Sequence, residues 1–316
     1  MRLPAMPQRC SVVVPVYNSQ DIVAALLTEL DRVLSDLGQP FEVVLVNDGS
    51  RDSSWERICR EAQRREWVRG LNLTRNFGQH NALLCGIRAA RYDVIITLDD
   101  DLQNPPAEIP RLLAKLAEGY DVVYGSPAQE RHVLWRNLAS RITKISLQAA
   151  MGAKTARHVS AFRAFRTRVR DAFASYRGPY VSIDVLLTWG TTRFAWIPVR
   201  QDPRRAGLSQ YTFGKLLTHA LNMMTGFSTW PLRLASLVGF AFTLFGLSVL
   251  GFVLGRYFIS GGSVAGFPFL ASVIAIFSGA QLFSMGIIGE YLARMHSRMM
   301  ERPTYAVGES TSGGDD

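Results

Sequence analysis

The densest concentration of chemistry in the chain is Asp99-Asp100-Asp101, three consecutive carboxylates reached by an apolar run of Val94, Ile95, Ile96 and Leu98. Such a run reads as a buried parallel strand, and the carboxyl end of such strands is where open α/β sheets bind ligands. Adjacent carboxylates repel one another unless a cation neutralises them. Side chains alternate in direction at a strand end, so Asp99 and Asp101 are expected on one face and Asp100 on the other. Hard oxygen donors with positions left open suit Mg²⁺ or Mn²⁺ carrying substrate phosphates. Taken alone, the stretch also fits an N-cap cluster for the helix after Pro105-Pro106, or a solvated acidic turn.

The elements that must position these groups recur along the first part of the chain. Ser11–Tyr17 reads as a buried strand, and apolar residues follow at helical spacing between Asp21 and Leu37. Strand Phe41–Val46 leads into Asn47–Ser50 and a helix with Trp55 and Ile58; strand Val68–Leu73 leads into a helix through Ala82–Ala90; strand Asp93–Leu98 ends in the carboxylates. This alternation predicts a parallel sheet with helices on both faces. The loops Tyr17-Asn18, Asp48-Gly49-Ser50 and Arg75-Asn76-Phe77-Gly78-Gln79 then open on the same edge as Asp99–Asp101. There Asp48 is placed to accept hydrogen bonds from a base or ribose, or serves as a turn residue before Gly49. No glycine-rich dinucleotide or P-loop signature follows any of these strands, so a metal would have to hold a diphosphate.

Composition adds a membrane. Of the 316 residues, 48% are hydrophobic, and a mean hydropathy of +0.07 is too apolar for a purely soluble enzyme. The net charge of +9 suits an anionic partner, but the basic residues are scattered, which weighs against nucleic acid. Cys10, Cys59 and Cys85 have no metal-ligand spacing and read as core residues. The first ten residues carry no apolar run, so a signal peptide is not expected and the chain should start in the cytoplasm. Leu234–Gly255 is uncharged and long enough to cross a hydrocarbon layer of roughly 30 Å; after Ile259–Gly266 breaks the run, Phe267–Ile288 is long enough to return. Arg294, Arg298 and Arg302 follow, so both termini are expected in the cytoplasm. Tyr211–Thr229 has the spacing of an amphipathic helix lying in the interface, or of a core-packing helix. Gly239, Gly246, Gly279 and Gly286 allow close helix packing, and the tail from Glu309 is expected to be disordered on composition.

The segments SVVVPVYN, VNDGS, LTRNFGQHNAL, TLDDDLQNPPAEIPRL and EGYDVVYG together resemble the family 2 glycosyltransferases, specifically those that act on polyprenyl phosphates, and the resemblance runs over nearly the whole chain. It implies a GT-A fold, a Rossmann-like, mostly parallel α/β sheet, over residues 1–210. An interfacial helix at 211–231, two transmembrane helices within 232–290 and a cytoplasmic tail at 291–316 follow. The implied activity is inverting transfer of one sugar from a nucleotide-sugar donor, expected to be a UDP-sugar, to undecaprenyl phosphate for cell-envelope glycan or lipid modification. The implied partners are donor, lipid acceptor and bilayer, with no nucleic acid, in a homo-oligomer (a tetramer by resemblance) of the cytoplasmic membrane. A catalytically inactive scaffold and a processive polysaccharide synthase are the alternatives; the latter lacks its Gln-x-x-Arg-Trp motif and larger set of spans here.

Residue by residue, the resemblance implies that Pro15, Tyr17 and Asn18 surround the nucleotide base, that Asp48 reads base or ribose, and that Arg75, Asn76 and Gln79 line the donor side. Asp99 and Asp101 match the pair at the diphosphate and metal, and Gln103 a neighbouring metal-side position. Asp100 stands where the family usually has a small residue and is expected to face away from the ion. Arg131 is retained, whereas an earlier arginine is Ala128. Arg204 and Gly207–Phe213 resemble an acceptor-phosphate motif whose lysine is here Gln210. Lys154–Ser160 lacks the aspartate proposed as base in relatives, leaving His158 as the nearest titratable residue, or as an ordinary loop histidine. A phosphate monoester, with a second pKa of about 6, is already largely dianionic at neutral pH. Attack then needs positioning and charge neutralisation, for which Arg131, Arg163, Arg204 and the metal are the candidates.

Overall fold

The computed structural model describes residues 9–127, 158–178, 181–202, 230–260 and 266–311. Four strands come first, β1 (Cys10–Val16), β2 (Phe41–Asn47), β3 (Val68–Leu73) and β4 (Val94–Thr97). They run parallel, with β1 between β2 and β4 and β3 outside β2. Every residue of β1 and β4 is buried, as expected of strands covered on both faces. The helices between them are α1 (Val23–Ser35), α2 (Ser54–Arg64) and α3 (Gln79–Ala89). α1 buries Val23, Leu26, Leu27, Leu30, Val33 and Leu34 as one stripe. It packs on one face of the sheet, while Leu83, Leu84 and Ile87 of α3 cover the other.

The second half departs from simple alternation. After α4 (Ile109–Ala117) come β5 (Val122–Pro127), β6 (Arg163–Arg166), α5 (Ile183–Gly190) and β7 (Phe194–Val199). β6 lies antiparallel between β4 and β5, and β7 pairs in parallel with β5. The sheet is therefore mixed rather than uniformly parallel. Because β6 runs backwards, its amino end meets the edge where β1 to β4 finish, and that brings residues 158–162 beside the carboxylates.

Two long helices follow, α6 (Trp230–Ser260) and α7 (Phe267–Met299). Phe277 of α7 meets Phe242 edge-on at 5.7 Å and Phe245 at 6.5 Å. A Cβ on Gly246 would come within 2.8 Å of the Phe277 ring, so this glycine lets the helices approach; Gly239, Gly279 and Gly286 have nothing within 4 Å. Among the described residues one stretch, the 21 residues Leu232–Phe252, is long and apolar enough to cross a membrane. Its large side chains, including Leu237 and Phe240, are mostly exposed, unlike those of a buried core helix. The interfacial helix expected over Tyr211–Thr229 lies outside the described residues.

Residues 309–311 correct the expectation of disorder, and the rest of that tail lies outside the described residues. β8 (Val307–Ser310) pairs antiparallel with β3, setting Leu71 opposite Ser310, Asn72 opposite Glu309 and Leu73 opposite Val307. Gly70 and Thr311 exchange two hydrogen bonds, of 2.8 and 3.0 Å. Composition misses this because an edge strand such as β3 offers unpaired backbone groups that a polar segment satisfies as well as an apolar one. α7 likewise continues to Met299, well into the segment expected as a tail. The full order is β7-β5-β6-β4-β1-β2-β3-β8.

Candidate active site

The carboxyl edge of the sheet begins with the loop after β1. Pro15 is buried within the strand, whereas Tyr17 and Asn18 are exposed. Asn18 adopts φ +54°, a left-handed conformation that asparagine tolerates better than most residues. Its N–H donates to Ser50 Oγ (2.9 Å), and its Oδ1 accepts the N–H of Arg51 (2.9 Å). Ser19 N–H donates to Ser54 Oγ (2.9 Å), Gln20 N–H to Asp52 Oδ2 (3.2 Å), and Ser53 N–H to Gln20 Oε1 (3.0 Å). The loops after β1 and β2 are thus laced together by short polar side chains, a role not readable from the sequence because the partners lie more than thirty positions apart.

Asp48 is 3% exposed, and its two carboxylate oxygens accept the N–H groups of Phe77 (2.7 Å) and Gly78 (2.9 Å). Burial pushes its carboxyl up, against these two bonds. It braces the loop after β3, and each oxygen keeps a further lone pair. Gly49 completes the contact: at φ +63° its α-carbon lies so close to that loop that a Cβ would fall 2.4 Å from Arg75 C and Asn76 N. Arg75 and Asn76 are exposed, and the Arg75 guanidinium lies 4.3 Å from the centre of the Phe77 ring.

The three carboxylates have different partners. Asp99 Oδ1 accepts from Gln79 Nε2 (2.5 Å) at the start of α3. Asp100 Oδ2 accepts from the N–H of Tyr17 (3.4 Å), and burial raises its carboxyl against hydrogen bonds from Ser19 and Tyr17. Asp101, 8% exposed, turns back to accept the N–H of Gln103 (3.1 Å). That turn is made by Leu102 at φ +57°, a conformation that costs a branched side chain on the order of 1–2 kcal/mol and belongs to the strained positions found at functional sites. Among the described residues no three His, Cys, Asp or Glu side chains converge as a ready-made metal cluster. A hard cation at this edge would take two carboxylates, with Gln103 alongside, and complete its shell from substrate oxygens; the donor set fits Mg²⁺ or Mn²⁺.

On the far side, Arg163 also needs correcting. It is 1% exposed, donates to Thr97 Oγ1 at 3.0 Å and is paired with Asp184 of α5. Tyr124 Oη donates to the same Asp184 oxygen at 3.2 Å. Arg163 therefore sits inside the domain, tying β6 to β4 and α5, and is not at the edge to meet a phosphate. Asp184 was the missed partner; its only sequence signal is a lone acid within apolar IDVLL. His158 lies on the edge side of β6 and stacks on Trp196 of β7, ring centres 3.7 Å apart and 8° from parallel. Beyond β7, Asp202 N–H donates to the Gln103 carbonyl at 2.9 Å. Arg131, Arg204, Ala128 and Gln210 lie outside the described residues.

Residues 11–174 match the Glycosyl transferase family 2, and the chain belongs to that family; it is a glycosyltransferase, as the motifs led us to expect. It is 38% identical over 300 residues to the undecaprenyl-phosphate 4-deoxy-4-formamido-L-arabinose transferase of Pseudomonas aeruginosa, covering 94% of this chain and 88% of that one. The enzyme of the same name from Yersinia enterocolitica is 37% identical over 307 residues, 95% of this chain and 93% of its own. In fold the chain is similar to glucosyl-3-phosphoglycerate synthase from Mycobacterium tuberculosis, whose crystal structure holds Mn²⁺, UDP and glucosyl-3-phosphoglycerate. The TM-score is 0.52 at 16% identity, over 69% of this chain and 79% of that one.

Proposed function

We propose that the protein is a membrane-anchored inverting glycosyltransferase that moves one sugar from a nucleotide sugar, with UDP as the nucleotide, to a polyprenyl phosphate of the undecaprenyl type. The observation that carries the reading is the placement of Asp99 and Asp101 at the carboxyl edge of a family 2 domain, in a chain alike over nine-tenths of its length to undecaprenyl-phosphate sugar transferases. The loops bearing Tyr17, Asn18, Ser50, Arg75 and Asn76 form the base side, with Asp48 acting through the loop it braces. Asp99 and Asp101, with Gln103 and Gln79 beside them, hold the diphosphate side. Asp99 and Asp101 would hold a divalent cation, Mg²⁺ or Mn²⁺, which would supply positive charge against the departing diphosphate.

In the reaction, an oxygen of the acceptor phosphate bonds to the anomeric carbon as the bond from that carbon to the diphosphate breaks, and the nucleoside diphosphate leaves with the electron pair. The acceptor is its own nucleophile as a dianion, so no carboxylate base is required. Arg131 and Arg204 are the residues we assign to the acceptor phosphate; Arg163, paired with Asp184, supports the fold.

The membrane reading places α6 and α7 as a two-span hairpin. Its support is topological: β8, which follows α7, lies in the same sheet as β1–β7, which precede α6. A chain whose two ends share one sheet crosses a bilayer an even number of times. Arg294 and Arg298 near the end of α7, with Arg302 just beyond it, support a cytoplasmic sheet.

The decisive experiment is mass spectrometry of lipid products after the purified protein is incubated with undecaprenyl phosphate and a panel of nucleotide sugars. A glycosyl monophosphoryl lipid from one UDP-sugar is expected. Hydrolysis without lipid product, or a product bearing a growing chain of sugars, would overturn the reading.

A further inference from the structure

We infer that Asp100 is a positioning residue for the donor, joining the base-side loops to the diphosphate-side carboxylates through hydrogen bonds it accepts rather than through its charge. The inference rests on the function proposed above. Asp100 follows Asp99 directly, yet it points to the loop after β1, where its Oδ2 accepts the Tyr17 N–H at 3.4 Å. The Ser19 hydroxyl lies within hydrogen-bond reach of both Asp100 and the Tyr17 carbonyl, the latter at 3.2 Å.

On its other side the same loop is held by Ser50 and Asp52 of the loop after β2 and by Ser54 at the start of α2. The stretch Tyr17–Gln20 is therefore gripped from two directions, by these side chains and by the strand end that carries Asp99 and Asp101. A nucleotide sugar spans both regions, with its base near Tyr17 and Asn18 and its diphosphate near Asp99 and Asp101. Fixing the distance between them before binding lowers the ordering cost of holding the two ends at once. Asp100 is suited to this because its carboxylate is engaged by the loop after β1, whereas those of Asp99 and Asp101 meet Gln79 and the N–H of Gln103.

The test compares Asp100→Asn with Asp100→Ala. Asparagine keeps a carbonyl acceptor for Tyr17 N–H and the Ser19 hydroxyl but removes the charge; alanine removes both. Binding of UDP is measured by calorimetry without divalent cation, and donor KM, acceptor KM and kcat are measured with it. We expect Asp100→Ala to weaken UDP binding and raise donor KM by roughly tenfold, the order of one lost hydrogen bond. Acceptor KM should stay within about twofold, and Asp100→Asn should recover most of the loss. Ser19→Ala should reproduce part of the alanine effect, and less than additively when combined with Asp100→Ala; it also serves if Asp100→Ala fails to fold. If asparagine is no better than alanine, or if the loss falls on kcat with UDP affinity unchanged, Asp100 works by charge and the inference is wrong. Wild-type protein that neither binds UDP nor turns over any UDP-sugar would instead overturn the proposed function, and this inference with it.

Discussion

Trp55 and Glu309 stand 254 positions apart in the chain, and the indole Nε1–H donates to the Glu309 carboxylate at 2.7 Å. The bond fixes β8 to α2 as well as to β3, so the segment after α7 is part of the same domain as the sheet. Removing residues 303–316 should lower the thermal midpoint in detergent by on the order of 5–10 °C, because β3 loses its outer partner and Trp55 its acceptor. Melting of the truncated and full chains by circular dichroism checks this. An unchanged midpoint would show that β8 is only a loose appendage.

The shared sheet also predicts the topology. A cysteine at Ser263, between α6 and α7, should be labelled by a membrane-impermeant maleimide on intact cells, and a cysteine at Ser310 only after permeabilisation. Labelling of both from outside would break the two-span reading.

Asp101→Asn should reduce kcat by a hundredfold or more, the order found when a group stabilising developing charge is removed. Chelator should abolish wild-type activity, and added Mg²⁺ or Mn²⁺ should restore it. Full activity in chelator would remove the metal from the mechanism and leave the strained turn at Leu102 without the purpose assigned to it.

His158, flat on Trp196, bears on the pH profile. If the acceptor attacks as its own dianion, the rate should rise with pH through about 6, where the phosphate loses its second proton, and His158→Ala should retain that rise. A hundredfold loss of kcat with a flattened profile in His158→Ala would make the histidine the base. In the same assays Arg204→Ala should raise the acceptor KM more than the donor KM; the reverse pattern would exchange the two phosphate sites.

Stability at acid pH should report Asp121. Burial pushes its carboxyl up, but hydrogen bonds from Arg168 (2.7 Å) and Thr191 (2.8 Å), with the charges of Arg168 and Arg193, outweigh this and hold it below its ordinary 3.8. A depressed folded pKa means that the contribution is present above the unfolded value and is lost as pH falls through the folded one. Asp121→Asn should therefore lower the thermal midpoint at neutral pH, and the gap from wild type should close as the pH is taken below about 4. A gap of equal size at both ends of the range would mean that the ion pairs contribute nothing.

By itself, the sequence determined what depends on local period and side-chain type. The buried runs of β1, β2 and β4, the apolar stripe of α1 and the uncharged stretch Leu234–Gly255 within α6 are all local patterns, and three successive carboxylates after an apolar run can be read without a partner in view. Whatever depends on distant pairing was left to the tertiary structure. The sequence of β6 carries no sign that it runs backwards between β4 and β5, and the polar VGES of β8 becomes a strand only because β3 leaves an open edge beside it. The same holds for individual site residues. Arg163 looks like an exposed cation until Asp184, 21 positions away, neutralises it in the interior, and nothing near Asp48 in the chain foretells that it braces the loop after β3. The physical reason is that hydrophobic periodicity is written along the chain, whereas the solvation and the partner of a polar group are set by what the fold brings next to it.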